Sequence, residues 1–157
     1  MGYQVRKARR RDLKAAYGLQ AQLVGIRGAL EILDDVRHYY SNRWVALKVL
    51  RGRALVAVDG GAPVGILTWG TSKGGLFHIE TVVVDGRHRG RGAGTCLVRG
   101  AEASAAKLGC RSVRIASHKV FKAKGFYTKM GYRCGPLEDD QWVLRKNLTF
   151  PVTNADR

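Results

Sequence analysis

The sequence predicts a single mixed α/β domain with the element order β-α-α-β-β-β-α-β-α-β-β. Three observations predict it. Short runs rich in β-branched residues, at 54–58, 64–69, 76–84 and 112–116, alternate with segments of helical periodicity. The glycine pairs Gly60-Gly61 and Gly74-Gly75 punctuate the strands. A glycine-rich turn joins the longest strand to the longest helix. A chain of 157 residues can bury one core, and no linker, repeat or low-complexity tract divides it. Residues 1–150 are expected to form the domain and 151–157 a short tail.

A strand over 3–7 opens the chain. Over 11–24, Leu13, Ala16, Tyr17, Gln20 and Leu23 recur at near-helical spacing. Asp12 suits the first turn of that helix, where the dipole favours negative charge. A second helical stretch covers 29–50 and is expected to break near Ser41-Asn42. Strands over 54–58 and 64–69 flank the hairpin turn Asp59-Gly60-Gly61. Gly74-Gly75 then turns the chain into a long strand over 76–84. A helix over 90–108 begins in glycines and stops at Gly109. A strand over 112–116, a helix over 120–130 stopped by Gly131, and a final pair over 132–134 and 141–146 close the sheet.

Composition narrows the chemistry. Cys96, Cys110 and Cys134 are odd in number and widely spaced, which argues against disulfides or a zinc site and for small apolar side chains in a reducing interior. No metal is expected. The basic stretch from Arg6 to Arg11 leads into an amphipathic segment rather than a leader's apolar region. No run approaches the roughly 18 apolar residues that span a bilayer. A soluble, cytoplasmic protein with no membrane partner is expected. Trp44, Trp69 and Trp142 read as core or cleft-wall aromatics, and Arg9-Arg10-Arg11 as a solvated helix start.

Charge is the unusual property: 28 basic residues face 12 acidic ones, for a net charge of +16. Between Glu102 and Glu138 no acidic residue occurs, while Lys107, Arg111, Arg114, Lys119, Lys122, Lys124, Lys129 and Arg133 all do. Like charges at this density repel, so an anionic partner is implied.

The turn Arg87-His88-Arg89-Gly90-Arg91-Gly92-Ala93-Gly94 follows an apolar strand and opens a helix. Glycines allow close backbone approach, the first helical turn presents unpaired N–H groups, and arginines add charge. The expected ligand is a phosphate or pyrophosphate. A Walker A loop would need a lysine that Gly92-Ala93-Gly94-Thr95 lacks. A dinucleotide fingerprint starting at Gly90 would need glycine where Thr95 stands.

Arg87-His88-Arg89-Gly90-Arg91-Gly92 resembles the R/Q-x-x-G-x-G/A signature of the GNAT acetyltransferase superfamily. Farther on, Ala123-Lys124-Gly125-Phe126-Tyr127-Thr128-Lys129-Met130-Gly131-Tyr132 is similar to its second landmark, A-x-x-F-Y-x-x-x-G-F. Where many members carry Asn three residues before that alanine, this sequence has Val120. The resemblance implies a GNAT-like fold and acetyl-CoA, or coenzyme A after transfer, as cofactor. It implies that main-chain groups of Val82, Val83 and Val84 meet the pantetheine arm. Arg87, His88, Arg89, Gly90, Arg91, Gly92, Ala93, Gly94 and Thr95 would cradle the pyrophosphate. Tyr127 is the implied general acid, and Glu80 the candidate base, with His78 or a water as alternatives.

The implied activity is transfer of an acetyl group to an amine. The acceptor is expected to be anionic or borne on nucleic acid or a ribonucleoprotein, because surplus positive charge disfavours a free polycation. A competing reading is a basic nucleic-acid-binding protein on the same scaffold with secondary or no acetyl transfer. Either a monomer or a homodimer is compatible with the sequence.

Overall fold

A computed structural model describes residues 2–24 and 41–149. In chain order the elements are β1 (Gln4–Lys7), α1 (Leu13–Val24), α2 (Asn42–Leu50), β2 (Ala54–Asp59), β3 (Ala62–Ser72), β4 (Leu76–Val84), α3 (Ala93–Lys107), β5 (Ser112–His118), α4 (Lys124–Lys129), β6 (Arg133–Glu138) and β7 (Gln141–Asn147). This is the order read from the sequence. The part of the second helical stretch before Ser41 and the tail over 151–157 lie outside the described residues. The break expected near Ser41-Asn42 is a helix start, where the Ser41 hydroxyl accepts from the Trp44 amide at 3.1 Å.

All strands join one seven-stranded sheet of order β1-β2-β3-β4-β5-β7-β6. Every pairing is antiparallel except that of β4 with β5. One face carries α3 and α4 over a core that includes Phe77, Ile79, Leu97, Val113 and Leu144. The other carries α1 and α2 over Ala16, Leu19, Val45, Val56 and Ile66. Burying each large apolar side chain contributes about 1.5–3 kcal/mol, so these layers hold the sheet rigid beneath the loops that form the site.

Two local departures from regularity shape that site. In β4, Ile79 pairs with Trp69 but Thr81 pairs with Thr68, so Glu80 is an extra residue on its strand. The bulge reverses the alternation of side chains. Before it, Phe77 and Ile79 enter the α3 core; after it, Val83 enters the α1–α2 core while Val82 and Val84 pack toward α3. The second departure corrects the helix expected over 120–130. A 3₁₀ turn at Lys119–Phe121 ends at Lys122, which adopts φ 50°, and only Lys124–Lys129 is α-helical. His118 supplies the reason, since its Nδ1 accepts from the Val120 amide at 3.2 Å and caps the turn as a separate unit.

Candidate active site

Strands β4 and β5 pair only from Leu76 with Ser112 to Ile79 with Ile115. Beyond that point β4 stays with β3 and β5 stays with β7, so the two strands part. The parting opens a cavity of about 580 Å³ walled by Glu80 to Val84 on one side and Ala116 to His118 on the other. Main-chain groups of Val82, Val83 and Val84 that a parallel neighbour would have engaged therefore face the cleft.

At one end of the cleft lies the glycine-rich loop. Gly92 stands at φ 93° as the N-cap of α3 and offers no side-chain cap, which leaves the first-turn N–H groups open to an anion. A side chain at position 92 would be strained in this left-handed conformation. His88, Arg89, Gly90, Gly92, Gly94 and Thr95 line the cavity. Arg89 Nε donates to the Val84 carbonyl at 3.2 Å, tying its guanidinium to the end of β4.

The other members of the expected cradle are placed differently. Ala93 is buried in the core, and Arg91 is exposed without lining the cavity. Arg87 is 87% exposed and its Nε donates to Asp85 at 3.1 Å. Asp85 also accepts from the Arg87 amide and from Gln22 of α1, while Gln22 Oε1 accepts from the Gly86 amide. The hydrogen bonds from Arg87, then that from Gln22, hold the Asp85 carboxyl well below the usual carboxylate range. Asp85 and Gln22 thus fasten the loop to α1, an arrangement their separation of 63 residues concealed.

Tyr127 of α4 also walls the cleft. It is 6% exposed, lines the cavity, and meets Phe126 and Tyr132 edge-on at centroid distances of 4.9 and 5.9 Å. Behind it, the Tyr132 hydroxyl donates to Glu102 at 2.9 Å, and Lys146 donates to both Glu102 oxygens and to the Met130 carbonyl. Burial, then the Glu102 charge, pushes the Tyr132 phenol far above its ordinary value, so it stays a proton donor to Glu102. This network anchors the turn that follows α4 and holds the Tyr127 ring in place.

Glu80 lines the same cavity, but both of its oxygens are engaged. Lys48 Nζ lies 2.7 Å from Oε1 and also donates to the Trp69 carbonyl, and Trp44 Nε1 donates to Oε2 at 3.2 Å. The Glu80 and Lys48 side chains are 13% and 7% exposed. Gly70 makes room for the pair, since a Cβ there would fall 2.8 Å from Oε1. His78 points away from the α3 core and bonds to the Ser72 hydroxyl at 2.8 Å; it is not part of the cavity wall. Lys48 and Trp44 were not singled out from sequence as Glu80 partners, and only the helical spacing of the two hints at a shared face.

A family model described as the Acetyltransferase (GNAT) family matches residues 26–132. Among solved structures, PaiA N-acetyltransferase from Thermoplasma acidophilum, in complex with coenzyme A, is 18% identical with a TM-score of 0.79, covering 94% of this chain and 100% of that one. Ard1 from Thermoplasma volcanium is 16% identical with a TM-score of 0.76, covering 96% and 100%. A GNAT-family acetyltransferase from Staphylococcus aureus is 14% identical with a TM-score of 0.76, covering 94% and 99%. At these identities the likeness is one of fold. A search among curated proteins finds no match. Among the described residues, no helix is long and apolar enough to cross a membrane. With the parted strands, the glycine loop and a family model spanning most of its length, the chain belongs to the GNAT acetyltransferase family.

Proposed function

We propose that this protein moves an acetyl group from acetyl-CoA to an amine on an anionic acceptor. The observation that carries the reading is the parting of β4 from β5, with an uncapped helix N-terminus and a buried tyrosine both on the cavity it opens. The residues present fit coenzyme A. Open N–H groups at Gly92 to Thr95, with Arg89 and His88 beside them, suit its pyrophosphate, and the strand groups of Val82 to Val84 suit an amide-bearing arm. When bound, acetyl-CoA supplies a thioester whose carbonyl carbon accepts the amine nitrogen.

The chain's own residues then have distinct tasks. Main-chain donors of β4 polarise the carbonyl as negative charge develops on its oxygen. The Tyr127 phenol gives its proton to the sulfur as the C–S bond breaks. Glu80, held by Lys48 and Trp44, draws the acceptor's amine to the cleft, and the proton released on C–N bond formation passes to water, or to Glu80 once its partners adjust. The net positive charge of +16 supports an anionic rather than a polycationic acceptor.

Tyr127→Phe is the test. General acid catalysis typically contributes about 10²–10⁴-fold, so kcat for thiol release should fall by at least ~10². The heat of coenzyme A binding should stay within about twofold. An unchanged kcat removes the assigned role, and absence of binding heat with folded wild-type protein removes the reading itself.

A further inference from the structure

The sheet face opposite α3 carries a row of three arginines, with a histidine at its end, that the cleft does not use. His78 of β4 pairs with Arg114 of β5, Arg114 with Arg145 of β7, and Arg145 with Arg133 of β6. Residues paired in this way share a face, so the four side chains stand side by side. Their sequence neighbours Phe77, Val113 and Leu144 are buried in the α3 core, which puts the row on the opposite surface. Strands lie about 4.8 Å apart, giving a line roughly 14 Å long. Arg145 and Arg133 are exposed and Arg114 is half-buried. Among the described residues, none of the three arginines has an ion-pair partner.

Like charges placed directly opposite one another destabilise a sheet. Two successive Arg–Arg pairs are therefore a cost that folding alone does not explain. Burial, then the charges of Arg114 and Arg145 against the opposing one of Glu80, hold the His78 imidazole below its ordinary pKa, as their closeness to it requires. The row starts at His78, two residues before Glu80 on the strand that walls the cleft.

We propose that His78, Arg114, Arg145 and Arg133 form the binding site for the phosphodiester backbone of a single-stranded nucleic acid, the carrier of the acceptor amine. A lone carboxylate or phosphate would occupy one or two guanidiniums, whereas a row of this length matches an anion whose charge repeats along a chain. A peptide that adds to a sheet docks at an open edge, where main-chain groups pair. This row crosses the face of the sheet, away from main-chain pairing, and suits a polymer that carries charge on its own backbone. The amine's role rests on the acetyl-transfer reading above; the binding does not.

The test is fluorescence anisotropy with a short single-stranded RNA, a DNA of the same sequence, and poly-glutamate, each titrated at several salt concentrations. The triple variant Arg114→Gln/Arg145→Gln/Arg133→Gln is compared with Arg51→Gln/Arg99→Gln/Lys107→Gln, which removes equal charge from elsewhere. Each lost phosphate contact reduces the slope of log K against log salt by about 0.7, so the row variant should lose roughly two units of slope and at least ~10-fold in affinity. The control should lose less than about threefold. The tighter of RNA and DNA identifies the source of the phosphodiester. Equal losses in both variants, failure of wild type to bind either strand, or poly-glutamate binding as tight as both, each overturn the proposal. If the triple variant does not fold, the exposed pair Arg145→Gln/Arg133→Gln serves in its place. Row-dependent binding by a protein that gives no heat with coenzyme A would leave this site standing and sink the acetyl-transfer reading.

Discussion

A carboxylate that accepts from Lys48 at one oxygen and from Trp44 at the other has little capacity left to act as a free base. Glu80 is better understood as a fixed negative charge at the cleft wall, one that receives a proton only as its partners adjust. The pair is nearly dehydrated, so its energetics are asymmetric: assembling it yields little, and removing one partner strands the other. Lys48→Met should accordingly lower stability by about 3–5 kcal/mol, read from urea unfolding monitored by circular dichroism. A loss below about 1 kcal/mol would mean that water reaches the carboxylate and that the ion pair is a surface contact.

Among the elements, α3 shows how far local chemistry carries. Its uncapped start depends on one glycine at φ 93°. Gly92→Val should cost about 1–2 kcal/mol in left-handed backbone strain and weaken coenzyme A binding at least ~10-fold by calorimetry. Retained affinity would show that the pyrophosphate is held elsewhere. The strand over 76–84 and the glycine turn after it were legible because their signals are local: β-branched residues, then glycines and arginines at fixed spacing. The helix over 120–130 was misread because Lys122 leaves helical geometry without a glycine or proline to announce it. Beyond reach were contacts made across distance. The Tyr132–Glu102–Lys146 network spans 30 and 44 residues, and the Glu80–Lys48 pair spans 32. The bulge at Glu80 is not legible either, since strand periodicity predicts alternation and not its interruption.

For the whole molecule, a net charge of +16 is a standing self-repulsion. Added salt screens it, so the melting temperature should rise between about 0.05 and 0.5 M sodium chloride, where the Debye length shrinks from above 10 Å to a few ångströms. Relief of 1 kcal/mol corresponds to roughly 2–4 °C in a domain of this size. A flat or falling profile in scanning calorimetry would mean that the excess charge is already neutralised within the fold. The short parallel seam of four residue pairs between β4 and β5 has a further meaning at this scale. It is the spine on which two half-sheets are bound like leaves of a book, with α3 braced against both through its core and through Glu102. Substitutions inside the gap can then change what is admitted while the spine stays intact, which makes the mouth of this protein easier to redesign than its frame.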